Sequence, residues 1–204
     1  MTARLRRRAK QIAVAAALMI WSASVGAQEL TTTESSDTPV FRVQVWGFLG
    51  ADFSARVLSY VELRTSLEPG LPRLTVTDHP DEILRAQRAL ASRIRVARAA
   101  ARQGDIFSST ISAEFRRVLL LEMNPTSLSV IMDENPGESS HRINRAYPAG
   151  KPRASMPADI LAVLPRLPDE VEYRFLGRTL ILIDTSANLI LDRMPCAMAC
   201  AVPE

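Results

Sequence analysis

The stretch YRFLGRTLILIDTSANLILDRM, Tyr173 to Met194, decides the fold. Val171, Tyr173 and Phe175 alternate with polar neighbours, the period of a strand with one buried face. Gly177-Arg178 follows, and glycine in the first central position suits a two-residue type II′ hairpin turn. Thr179 to Asp184 is apolar on both faces, which predicts the central, more buried strand. Thr185-Ser186-Ala187 turns the chain, and Asn188 to Asp192 reads as a third strand. The simplest result is a three-stranded antiparallel meander. Three strands with an apolar face need a partner layer to be stable.

The segments upstream supply that layer. Phe53, Val57, Tyr60 and Leu67 recur at helical spacing, with Leu58 and Leu63 widening the face, and Pro69-Gly70 stops the helix. Before it, FRVQVWGFLG (Phe41 to Gly50) alternates and then runs continuously apolar, so it reads as a short strand or a buried lead-in segment. Thr77, Asp78 and Pro80 announce a second helix, with a capping side chain and a proline in the first turn. It is expected to run to about Arg102, with Gly104 as its cap and Ile83, Leu90, Ile94, Ala97 and Ala101 facing inward. Ser108 or Ser109 caps a third helix. Asn124-Pro125 starts a short fourth that Asn135-Pro136-Gly137 ends. Glu138 to Pro168 is a proline-rich loop holding one short helix, Ala158 to Leu164. The fold class is therefore α+β: N-terminal amphipathic helices packed on a C-terminal three-stranded antiparallel meander.

The chain opens MTARLRRRAKQIAVAAALMIWSASVGAQEL. A basic segment, an apolar run from Ile12 to Trp21 and the small residues Val25-Gly26-Ala27 have the layout of a secretory signal peptide cleaved after Ala27. The apolar run falls short of the roughly 20 residues a membrane span needs. The chain has 25 Lys+Arg and 22 Asp+Glu, and five of the basic residues precede Gln28. Without them the balance is 20 basic against 22 acidic, so the basic pI belongs to the signal and nucleic-acid binding is not indicated. The expected layout is a signal peptide over 1–27, a flexible leader over 28–40, one α+β domain over 41–194 and a Cys/Met-containing tail over 195–204.

Three clusters bear on chemistry. Met194, Cys196, Met198 and Cys200 place four sulfur atoms in the tail, the soft ligand set that favours Cu(I). The simpler reading is a local disulfide, or loose thiols, in a tail that frays. DENPGESSH, Asp133 to His141, gathers metal-ligand residue types but departs from a calcium loop in its glycine position, its proline and its twelfth residue. It reads as a solvated helix exit. Arg88, Arg95, Arg98 and Arg102 share one flank of the second helix and could meet an acidic partner, although a charged flank is also the normal outer face of such a helix. The chain has two histidines, and no GxSxG, Walker, GxGxxG or HExxH motif occurs. An acid pair assembled in space from Asp133, Glu134, Asp159, Asp184 and Asp192 stays open.

ARQGDIF (Ala101 to Phe107), RINRAYPAGKP (Arg142 to Pro152) and YRFLGRTLILIDTSANLILD (Tyr173 to Asp192) resemble a group of exported bacterial proteins of unknown function. The final hairpin is also similar to the closing strand pair of small periplasmic nickel- and cobalt-homeostasis proteins, at Gly177, Leu180, Ile181, Leu182, Ile183 and Asp184. Neither resemblance implies a catalytic residue or a cofactor. The expected protein is a periplasmic or secreted, non-enzymatic binding or assembly module whose partner is another envelope protein. The alternatives are soft-metal binding by the tail and a hydrolase with dispersed acidic residues.

Overall fold

The computed structural model describes residues 39–72, 78–135, 137, 142–148 and 150–198, with side chains from Trp46 onward. The signal peptide, the leader up to residue 38, Thr77, Pro136, residues 138–141 and Cys200 lie outside the described residues.

Helix α1 spans Pro39–Leu67, so Phe41 to Gly50 is helical and not a strand. Alternation over five or six residues fits both periods, and the longer pattern decides. Trp46, Gly50, Phe53, Val57, Tyr60, Arg64 and Leu67 step by four and three along one face. Gly50 faces Pro165: a Cβ there would make ordinary contact with its Cγ at 3.7 Å. Trp46 meets the Phe115 ring edge-on with centroids 5.4 Å apart, and Phe53 stacks on Phe107 at 5.6 Å. Phe48 and Leu58 point outward, so Leu58 is not part of the inward face.

Helix α2 spans Pro80–Ala97, and Pro80 takes the first turn, where its missing N–H costs nothing. Its N-cap is His79, whose side chain makes no capping bond. Ala86, Leu90, Ala91 and Ile94 face the core, while Ile83 is partly exposed and Ala97 exposed. The helix ends short of Arg102 because long-range partners take over its end. Asn144 Nδ2 donates to the Arg98 carbonyl at 2.5 Å, and the chain beyond is drawn to Asp192. Gly104, with φ 95°, therefore serves that loop and not a helix cap.

Helices α3 (Ser109–Glu122) and α4 (Pro125–Asp133) begin at caps read from the sequence. Ser108 Oγ accepts from Ile111 N, and Asn124 Oδ1 accepts from Ser127 N at 2.9 Å. Helix α5 is Ala158–Val163. Helix α1 packs on α2 and α3, and α3 packs on α5.

Strands β1 (Val171–Leu176), β2 (Thr179–Asp184) and β3 (Leu189–Met194) form the antiparallel sheet in the order β1-β2-β3. Gly177 turns the first hairpin with φ 55°, and the Asn135 side-chain amide clamps its peptide: Oδ1 accepts from Gly177 N and Nδ2 donates to Gly177 O. Leu182 pairs with Asp192 and Ile183 with Ile190, which leaves Leu191 as the extra residue of a bulge. The Leu191 carbonyl accepts a hydrogen bond from Arg98. The outer edge of β3 is covered by 144–147, through Asn144 N to Ile190 O, Ile190 N to Arg145 O and Tyr147 N to Asn188 O. One sheet face joins the helices in the main core around Phe53, Phe115, Tyr173, Phe175, Leu180 and Leu182. The other carries a smaller cluster: Tyr147, Leu176, Ile181, Ile183 and Ile190.

Candidate functional site

Two fully buried carboxylates end the apolar runs of β2 and β3, and both are tied to other elements. Asp184 Oδ2 accepts from Tyr60 Oη at 2.5 Å and from Arg64 Nε at 2.9 Å, while Oδ1 accepts from Ala187 N at 2.6 Å. This cluster joins α1 to the β2–β3 turn. Burial and the adjacent carboxylate push the Tyr60 hydroxyl far above its ordinary pKa, so it stays a donor. Arg98 lies over the Tyr60 ring, 5.2 Å from its centroid. Burial pulls the Arg98 guanidinium below its ordinary pKa, and the Tyr60, Asp105 and Asp192 oxygens oppose that. Arg64 continues outward from Asp184 to Glu68 at 2.5 Å.

Asp192 binds backbone N–H groups with both oxygens. Its Oδ2 accepts from Ile106 N and Phe107 N at 2.8 and 2.7 Å, and its Oδ1 from Gly104 N and Arg193 N at 3.0 and 2.8 Å. It gathers the α2–α3 loop onto β3 as a capping carboxylate gathers a helix start.

The other acidic candidates are separately engaged. Asp159 accepts from Ser127 Oγ, from Asn124 Nδ2 at 2.8 Å and from Ile160 N at 2.9 Å. The Ser127 hydrogen bond comes first in holding the Asp159 carboxyl below its usual range. Glu134 accepts from Ser155 N and Oγ. Asp133 closes α4.

The arginine flank divides. Arg95 donates to the Asn144 carbonyl at 3.1 Å, and Arg98 donates to Asn144 Oδ1 and to Leu191 O. These two tie α2 to the Asn144 loop and to β3. Arg88 and the Arg102 side chain lie on the exposed surface.

The start of the tail does not fray. Met194, Ala197 and Met198 are buried in the main core, Ala197 N donates to Arg178 O at 2.9 Å, and Arg116 donates to Pro195 O. Cys196 is disulfide-bonded and takes φ 56°. Its sulfur is therefore not a thiolate ligand while that bond persists. Among the described residues no three His, Cys, Asp or Glu side chains gather as a metal site.

A cavity of about 550 Å³ lies between the end of α1 and α2, lined by Arg64, Thr65, Leu71, Ala86, Leu90 and Ser186 among others. A second depression, about 450 Å³, runs along β1 past Pro165, Glu172, Tyr173 and Arg174. Sequence reading missed Arg64, although a signal was present. It stands four residues after Tyr60, in the apolar phase of α1, where an unpaired charge is prohibitively costly.

Comparisons with family models, with curated proteins and with solved structures returned no match.

Proposed function

We propose that the protein is an exported bacterial envelope protein, periplasmic or secreted, that works without catalysis as a binding or assembly module for another envelope protein. The observation that carries this reading is the outer surface of α3 and α4. Leu120, Leu121, Leu128, Val130 and Met132 are exposed on these two consecutive helices, Leu121 to 68% and Met132 to 52%. In α4, Leu128 and Met132 lie one turn apart, while Ile131 faces the core. A contiguous apolar patch marks an interaction site, whereas a single exposed side chain is ordinary, and Leu128 and Met132 are the pair that one helical turn brings together. The engagement of Asp184 and Asp192 in holding the fold supports a non-catalytic role. The signal-like opening and the resemblance to exported proteins support the location. No helix among the described residues is long and apolar enough to cross a membrane.

The test is affinity capture from the envelope with the native export signal retained, comparing the parent with a Leu121→Ser, Met132→Ser variant. Substitutions of exposed side chains shift stability by only about 0.5 kcal/mol, so the variant is expected to fold normally. A stoichiometric partner held by the parent and lost by the variant is the expected result. A partner held equally by both, or none held by the parent, rejects the reading.

A further inference from the structure

The cavity between α1 and α2 holds a cation with unused donors. Arg64 is 6% exposed, and of its five guanidinium N–H groups two are engaged, one on Nε by Asp184 and one on Nη1 by Glu68. Both Nη2 hydrogens and one on Nη1 have no acceptor among the described residues, and Arg64 lines the cavity. The Asp184 bond is buried, whereas Glu68 is half exposed and holds Arg64 as an ordinary pair one helical turn away. The Glu68 end of this part-buried pair is exposed, so its carboxylate can turn to solvent when another anion takes its place on Arg64. The Thr65 and Ser186 hydroxyls share the wall with apolar Leu71, Ala86 and Leu90. Arg93 holds the Leu67–Pro69 end of α1 through the Leu67 and Pro69 carbonyls. Glu68 is the second carboxylate on Arg64, so a ligand carboxylate taking its place leaves the charge on Arg64 balanced as before.

We propose that this cavity is a binding site for a small amphiphilic carboxylate, which takes up the free Nη2 hydrogens of Arg64, displaces Glu68 from Nη1 and lays its apolar chain along Pro69, Leu71 and Pro72. A planar guanidinium fork matches a carboxylate better than it matches a hydroxyl, and it repels an amine. The volume falls in the range of small-molecule sites, roughly 300–1,000 Å³. This inference is independent of the α3–α4 surface.

The experiment titrates the ¹⁵N-labelled full chain with octanoate below its micellar range, with octylamine and octanol as controls of equal chain length. Octanoate is expected to saturate and to shift the Thr65, Glu68, Ala86, Leu90 and Ser186 amides, while the controls do not. Thr65→Trp, at an exposed position on the cavity wall, is expected to block the cavity and abolish saturation. Arg64→Lys is expected to weaken it at least about ten-fold. Because Arg64 also supports the fold, Glu68→Gln provides a variant at an exposed position. Losing the competing carboxylate, it is expected to bind about two-fold tighter. The proposal is overturned by an absence of saturable octanoate binding, by equal binding of octanol or octylamine, by binding retained in Thr65→Trp, or by no tightening in Glu68→Gln.

Discussion

Replacing Asp192 distinguishes a structural carboxylate from a catalytic one. Each of its oxygens accepts two backbone N–H groups, and those of Ile106 and Phe107 are buried. A buried donor left without an acceptor costs about 1–3 kcal/mol. Taking the two buried donors as fully orphaned and letting the Gly104 and Arg193 groups find water, Asp192→Ala should lose about 2–6 kcal/mol. That is a large share of the roughly 5–15 kcal/mol that holds a domain together. Asp192→Asn separates hydrogen bonding from shape. An amide has one acceptor oxygen and one NH₂, so it serves one donor pair and turns its own N–H groups against the other. Asn should therefore cost about 2–4 kcal/mol despite its identical outline. Urea denaturation at neutral pH, followed by far-UV circular dichroism, measures both values. A catalytic acid would behave oppositely, since its removal commonly leaves stability intact or improves it. If Asp192→Asn stays within about 0.5 kcal/mol of the parent, the assignment of this carboxylate to the α2–α3 loop is wrong.

Two further outcomes follow from other contacts. Tyr60→Phe removes one charge-assisted bond from Asp184 but leaves Arg64 in place, so it should cost about 2 kcal/mol and lower Tm by about 4–8 °C in a thermal scan; no change in Tm contradicts the buried cluster. Ser127→Ala should destabilise at neutral pH and lose that effect in acid. The Ser127 bond holds the folded-state pKa of Asp159 below its unfolded value. Its contribution is therefore complete above the unfolded carboxylate value, near 3.9, and is lost as pH falls through the folded value. Urea midpoints of parent and variant should converge as pH falls through the folded carboxylate value, and a gap that persists in acid, where both forms are protonated, rejects the assignment.

The local features of the fold were legible because local rules govern them. Strand alternation, the Gly177 turn, the Ser108 and Asn124 caps and Pro125 each act within a few residues, and each appears where its chemistry requires. The start of helix α1 is ambiguous in the sequence because Phe41 to Trp46 fits two periods, and only the continuation to Leu67 separates them. The end of helix α2 is hidden from the sequence because Asn144 and Asp192, both distant along the chain, set it. No window on α2 contains that information. The roles of Asp184 and Asp192 were half visible. An acid closing a fully apolar run is anomalous, but whether it meets substrate or backbone depends on which loop the fold delivers to it. The Arg64 cavity needed the same step, from a charge in an apolar phase to the element it faces.

The central claim is that the strands from Tyr173 to Met194 are sealed scaffold, with their apolar faces shut beneath the helices and the 142–156 segment. Native-state hydrogen exchange of β2 tests it most directly. The amides of Leu180, Ile181, Leu182 and Ile183, all at most 1% exposed, should exchange only through global unfolding, with opening free energies equal to the stability from urea denaturation. Opening of these amides well below the global value, with the helices still protected, would contradict the claim and mark the ribbon as an element that opens on its own.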